Sequence, residues 1–238
     1  MKYLNQIVLG DCLDIMKELP DNSIDLVMTD PPYLIKNTKA GGKTKFSKSI
    51  QGMNDEIKAA GLTDGVSLAF CEEIIRLQNK VNAYIWCNKG QIIDYLNFFV
   101  TKHKCSFDIL CWLKDNPMPT FHNKYLTDKE YCLYFSRGGY CMPGNYQEAK
   151  TVFFEPINIK DKNQFGHPTI KPLSIIIKIL KNSAKTGSTI LDCFSGSGTT
   201  AVACHDLNLN FICIEKDPIY HAASVERLEE HKKQLILI

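Results

Sequence analysis

Seven short apolar runs recur along the chain, and stretches of helical periodicity separate most of them. Residues 6–9, 24–29, 82–87, 106–113, 130–136, 189–192 and 210–215 read as strands. Residues 14–19, 65–79, 91–101, 172–184 and 199–207 read as helices, and a last helix opens at Asp217-Pro218. An Asp that accepts backbone N–H bonds, followed by a proline with a preset φ, is a helix start. Strands alternating with helices fold as βαβ units around a mostly parallel sheet. The expected architecture is therefore an α/β, doubly wound, seven-stranded sheet with helices on both faces. A length of 238 residues suits one such domain, 1–238, and cramps two.

In doubly wound sheets, ligands sit beyond the carboxyl ends of the strands. Three candidate motifs fall at such ends: Gly10-Asp11, Asp30 to Tyr33, and Asp192 to Thr199. Their shared position predicts a single site.

The run Asp192-Cys193-Phe194-Ser195-Gly196-Ser197-Gly198-Thr199-Thr200 joins a strand to a helix. It reads either as a tight turn or as a loop whose glycines bring backbone close to a ligand at a helix N-terminus. Glu215, about 20 residues further on and closing the next strand, favours the second reading, because an acid there suits ribose hydroxyls. No Gly-Lys-Ser/Thr follows, which excludes a P-loop. The dinucleotide fingerprint is incomplete, with Ala201 where its last glycine could stand.

Asp30-Pro31-Pro32-Tyr33 follows an apolar strand that consecutive prolines cannot prolong. It reads as a rigid turn, or as a device for amino-group chemistry. An aromatic amino nitrogen is a poor nucleophile, because its lone pair is delocalised into the ring. Accepting hydrogen bonds from both of its N–H groups frees that pair. The Asp30 carboxylate and the Pro31 carbonyl can be the two acceptors, and Tyr33 offers a face for stacking. A base treated in this way has to leave the duplex.

These residues resemble the catalytic motif of the S-adenosylmethionine-dependent DNA amino-methyltransferases. The 194–200 run resembles the cofactor loop of that family. His167-Pro168-Thr169-Ile170-Lys171-Pro172 and Gly10-Asp11-Cys12 match two further motifs, and the order of the four resembles the beta group. The resemblance spans residues 10 to about 228 and implies a circularly permuted methyltransferase fold. It also implies direct in-line methyl transfer to the N6 amino group of a flipped adenine in a specific DNA sequence, with N4 of cytosine as the alternative. An RNA amino group, or a non-catalytic DNA-binding protein that keeps the fold, are more distant readings. Asp rather than Ser at position 30 favours adenine.

The resemblance further implies roles for individual positions. Asp30, Pro31, Pro32 and Tyr33 are catalytic. Phe194, Ser195, Gly196, Ser197, Gly198 and Thr199, preceded by Asp192, cradle S-adenosylmethionine, while Glu215 and Lys216 lie at its ribose. Asp11 and Cys12 face its adenine. Thr169 and Lys171 meet its carboxylate, and His167 lies near the same pocket. The family pattern has Gln where this chain has Ile170, which removes any polar contact from that position.

The net charge of +2 does not by itself point to nucleic acid, so the distribution of charge has to. Residues 34–64 hold Lys36, Lys39, Lys43, Lys45 and Lys48, a Gly-Gly pair and no acid before Asp55. That composition predicts a mobile basic loop, either solvated or set against DNA phosphates. Lys114, Asn116 and Lys124, interleaved with Trp112 and Phe121, form a second stretch that either faces DNA or packs at a sheet edge. Residues 138–166 read as an irregular insert and a candidate target-recognition segment. Trp86 reads as core. The ten cysteines include no C-x-x-C pair, which argues against structural zinc and for buried thiols in a reducing compartment. None follows a proline, as a C5-cytosine enzyme requires. The transfer needs no metal and none is expected; with no apolar run of spanning length no membrane is expected either, and the reading is cytoplasmic. The apolar 235–238 tail either packs back or meets a second subunit, so a homodimer is plausible, as is a cognate restriction endonuclease.

Overall fold

A computed structural model describes residues 1–35, 48, 51–52, 54–55, 58, 63, 65–117, 125–157 and 169–236. Eight strands form one sheet: β1 (Gln6–Leu9), β2 (Leu26–Thr29), β3 (Val81–Cys87), β4 (Ser106–Leu113), β5 (Lys129–Arg137), β6 (Val152–Phe154), β7 (Thr189–Asp192) and β8 (Asn210–Glu215). Their order across the sheet is β1-β8-β7-β2-β3-β5-β4-β6. β5 runs antiparallel to both of its neighbours, and the other pairings are parallel. The count corrects the expected seven. β6 lies within the 138–166 insert and pairs with the second half of β4, from Cys111 to Leu113. Three residues are too few for a period-2 pattern to stand out in sequence.

Strand side chains alternate between two cores. On β2, Leu26 and Met28 join one apolar cluster and Val27 joins the other. Helices α1 (Cys12–Lys17), α2 (Ala69–Leu77) and α3 (Ile92–Tyr95) cover one face, through Met16, Phe70, Ile74 and Tyr95. Helices α4 (Leu173–Ser183), α5 (Thr199–Asp206) and α6 (Pro218–Ile236) cover the other, through Ile175, Ile179, Val202 and Leu228. Every residue of β3 is buried, as befits a strand near the middle of the sheet with helices on both sides.

The expected helix over 91–101 is a single α turn that widens into a π-helix, Leu96–Lys102. It carries the adjacent Phe98 and Phe99, both of which are buried. All ten cysteines are free, and eight are fully buried; Cys111 is half-buried and Cys141 exposed. Among the described residues no helix is long and apolar enough to cross a membrane.

The chain moves one way across the sheet from β2 to β3 and the other way from β7 to β8. The switch therefore lies between β2 and β7, and a ligand crevice opens at their carboxyl ends. Those ends carry Asp30 and Asp192.

Candidate active site

Beyond β2, β7, β8 and β1 lies a cavity of about 640 Å³, within the range of small-molecule sites. Its walls include Gly10, Asp11 and Cys12 after β1, Asp30 and Pro32 after β2, Asp192 to Ser197 with Thr199 after β7, and Glu215 and Lys216 after β8. Thr169, Lys171 and Trp86 also line it. Four motifs far apart in sequence thus share one hollow.

The strand ends are tied together. Thr29 Oγ1 donates to Asp192 Oδ1 at 3.1 Å and accepts the Cys193 N–H at 3.2 Å. Asp192 also accepts from the Phe194 N–H at 3.1 Å and the Thr200 hydroxyl at 2.6 Å. Burial pushes its carboxyl up to about 6 despite these donors. In the glycine loop Gly196 and Gly198 have φ of +50° and +76°, the left-handed region that favours glycine. Gly198 caps α5, and a Cβ there would meet the Ser224 Cβ at 3.0 Å. From α6 the buried Arg227 donates to the Ser197 carbonyl at 3.0 Å and to Thr199 Oγ1 at 3.1 Å, which pins the loop from below. Sequence reasoning missed Arg227; a lone arginine in a helix is no signal without knowledge of what the helix packs against.

Glu215 accepts the Gly196 N–H at 2.7 Å and the Asp217 N–H at 2.8 Å, while burial raises its carboxyl. Asp217 caps α6 through the N–H groups of Ile219 and Tyr220, as its sequence position predicts. Asp11 caps α1 by accepting the Leu13 N–H at 3.0 Å, and Lys216 reaches its other oxygen at 3.1 Å.

At the catalytic motif, Lys171 donates to Asp30 Oδ2 and also lies 3.1 Å from Glu130 Oε2. The other oxygen of Glu130 takes Lys114 at 2.6 Å. Against the upward push of burial, Lys171 and Lys114 hold the Glu130 carboxyl down at about 2. Among the described residues, three cavity-wall residues have a buried polar atom with no partner: Asp30 Oδ1, Ser195 Oγ and Trp86 Nε1. Buried polar atoms left open in this way cost free energy unless a ligand meets them.

Several expected residues are placed otherwise. Pro31 is buried, and neither it nor Tyr33 lines the cavity; the Tyr33 hydroxyl reaches toward Glu130 at 3.5 Å. Ile170 is buried, so that departure from the family pattern serves packing. Trp86 is both core and cavity wall. At Trp112 and Lys114 the structure shows packing and pairing within the chain. Trp112 is buried with Nε1 on the Glu155 carbonyl at 2.7 Å, and the Lys114 side chain, 12% exposed, is already matched by Glu130. Asn116 is taken up by the Ile157 N–H at 2.7 Å. His167, Lys36, Lys39, Lys43, Lys45 and Lys124 lie outside the described residues; Lys48 is exposed. Away from the cavity, the ligand atoms of His205, Asp206 and His231 lie within 4.8 Å of one another, and the 2.6 Å His231–Asp206 contact ties α5 to α6.

Comparison with known proteins agrees with this geometry. The DNA methylase family profile (N6/N4 type) matches residues 24–226. The type II methyltransferase M2.MboI of Moraxella bovis is 30% identical, over 94% of this chain and 87% of its own length. M.HinfI of Haemophilus influenzae is 28% identical, over 97% of this chain and 70% of its own. The structure of the M1.HpyAVI–SAM complex superposes with a TM-score of 0.67 at 27% identity, covering 94% of this chain and 99% of that one. The cytosine-N4-specific PvuII DNA methyltransferase shares the fold, with a TM-score of 0.66 at 15% identity over 96% and 91%.

Proposed function

This chain belongs to the DNA methylase family, and we propose that it methylates the N6 amino group of adenine within a specific DNA sequence, using S-adenosylmethionine. The observation that carries the proposal is the open Asp30 Oδ1, a buried acceptor at the wall of the same cavity that the glycine loop and Glu215 line.

The residues present fit the cofactor. The cavity has the size, its loop turns on two glycines of left-handed φ, Glu215 offers carboxylate oxygens, and Ser195 Oγ waits for a partner. Phe194 to Thr199, with Asp192 beneath them, would hold it on one side, and Asp11, Cys12, Glu215 and Lys216 on the other. What it supplies when bound is a methyl group that an amino nitrogen can take. Asp30 Oδ1 would accept one amino N–H and so turn the nitrogen lone pair out of the ring. It would also steady the positive charge that grows on that nitrogen, and the proton is then lost without a strong base. The Pro31 carbonyl and the Tyr33 ring would come to the base only as it enters.

Support for adenine comes from Asp at position 30. The N4 amino group of cytosine is chemically equivalent for this machinery, and the PvuII enzyme shows that the fold serves it. Within the same proposal we place the protein in the cytoplasm, the lysines of 34–64 on DNA phosphates, the 138–166 insert in target recognition, and the order of motifs in the permuted beta arrangement. A cognate restriction endonuclease and a homodimer belong to it too.

The test is expression in a host free of DNA methylation, followed by sequencing with detection of modified bases. N6-methyladenine at one short sequence is expected from the parent and none from Asp30→Ala, whose affinity for S-adenosylmethionine by calorimetry should stay within about two-fold. N4-methylcytosine would change the substrate; an active Asp30→Ala would remove Asp30 from the reaction.

A further inference from the structure

We infer that Lys171 and Glu130 act as a positioning couple that clamps one oxygen of Asp30 and leaves the other free for the target amino group. The inference rests on the reading of Asp30 as the amino-group acceptor. It gives Lys171 a partner other than the cofactor carboxylate, and it adds Glu130, which belongs to none of the four motifs.

Asp30 follows β2, Lys171 precedes α4 and Glu130 lies on β5, so three separate elements converge. The Lys171 side chain is 8% exposed, and its ammonium lies 5.2 Å from the Trp86 ring centre and 5.5 Å from that of Tyr33. A lysine carries its charge on a flexible four-carbon stem, and a single carboxylate partner would leave it free to pivot. Glu130 removes that freedom from the far side, and Lys114 in turn anchors Glu130. With Oδ2 held, Asp30 cannot rotate to present its oxygens interchangeably, and Oδ1 stays open. Two acids and two lysines also balance, so the cluster brings no net charge into a site that must receive a neutral base.

Electrostatics gives the couple a signature. Burial raises the Asp30 carboxyl, Lys171 draws it down, and Glu130 pushes it up again. The other titratable groups facing Asp30 are Tyr33 on its own turn, Cys87 on β3, Cys132 on β5, Tyr95 on α3 and Asp192 on β7. They are common to parent and variants and cancel in the comparison.

The experiment measures single-turnover methyl transfer against pH for the parent, Glu130→Gln and Lys171→Met, together with calorimetric affinity for S-adenosylmethionine. Both variants should lose about ten-fold or more of the plateau rate while keeping cofactor affinity within about two-fold. Their acid limbs should move in opposite directions, upward in pH for Lys171→Met and downward for Glu130→Gln. Displacement in the same direction, or none, would overturn the couple. So would a ten-fold loss of cofactor affinity in Lys171→Met, which returns that lysine to the cofactor. The isosteric Glu130→Gln keeps the test alive if Lys171→Met does not fold. An inactive Asp30→Ala beside parental rates in both variants defeats the couple alone; an active Asp30→Ala defeats the reading beneath it.

Discussion

Replacing Asp192 with Asn should stabilise the protein, and should do so progressively as the pH rises. Asp192 is buried, and its carboxyl is raised from 3.8 to about 6. Folding therefore favours the protonated acid. The stability this group contributes is present in full below the unfolded value, near pH 4, and is lost as the pH climbs through about 6. At about 1.4 kcal/mol per pKa unit the whole loss comes to about 3 kcal/mol, of which about 1.4 kcal/mol falls between pH 5 and pH 8. Asparagine has no charge to desolvate. It can keep the hydrogen bonds as well: its oxygen takes the place of Oδ1 for the Phe194 N–H and the Thr29 hydroxyl, and its amide donates to Thr200 Oγ1. Urea unfolding of parent and variant at pH 5, 6, 7 and 8 reads the difference directly. The stability gap should widen by about 1.4 kcal/mol across that range, most of it before pH 7. Parallel curves, with a gap that ignores pH, would refute the claim that burial holds this carboxyl up.

Three further outcomes are expected. Gly198→Ala has to accept a φ of +76° and a 3.0 Å approach to Ser224, and should cost about 2–4 kcal/mol in urea unfolding; a change under about 0.5 kcal/mol would mean the loop relaxes freely. Glu215→Ala should weaken S-adenosylmethionine binding by about 1.5–3 kcal/mol, the scale of a hydrogen bond to a charged group, and an unaltered dissociation constant in calorimetry counts against the pocket. Changing Lys43, Lys45 and Lys48 together to Ala should lower the slope of log affinity for DNA against log salt by about one unit for each phosphate that is no longer neutralised, equally on cognate and non-cognate DNA; an unchanged slope leaves these lysines as solvated surface.

Legibility from sequence followed the range of the physics. The strands at 106–113, 189–192 and 210–215 match the structure residue for residue, because apolar runs bounded by turn residues are local signals. The motifs could be assigned to one site from topology alone, since Gly10, Asp30, Asp192 and Glu215 all close parallel strands. What escaped was non-local. Glu130 looked like one polar residue in a strand until Lys114 and Lys171 were seen on either side of it. Lys114 leaves DNA contact and sheet-edge packing both open in sequence for the same reason. β6 exists only because the exposed edge of β4 offers it backbone partners, and nothing within Val152–Phe154 announces that.

The pairing of β1 with β8 closes the longest loop in the sheet, with Leu9 set beside Glu215. Bringing together strands separated by roughly 200 residues is entropically expensive and slow compared with local pairing. Folding should therefore complete this seam late, after the β2–β3–β5–β4 portion has collapsed. Gly10, Asp11 and Cys12 then become a wall of the cavity only at that final step. Until β1 and β8 pair, that wall is missing, and a ligand that binds only the closed form stabilises the seam by an amount that grows with the logarithm of its concentration above its dissociation constant. Cofactor occupancy thus doubles as a report of finished folding: a molecule able to hold the methyl donor is one in which β1 and β8 have already paired.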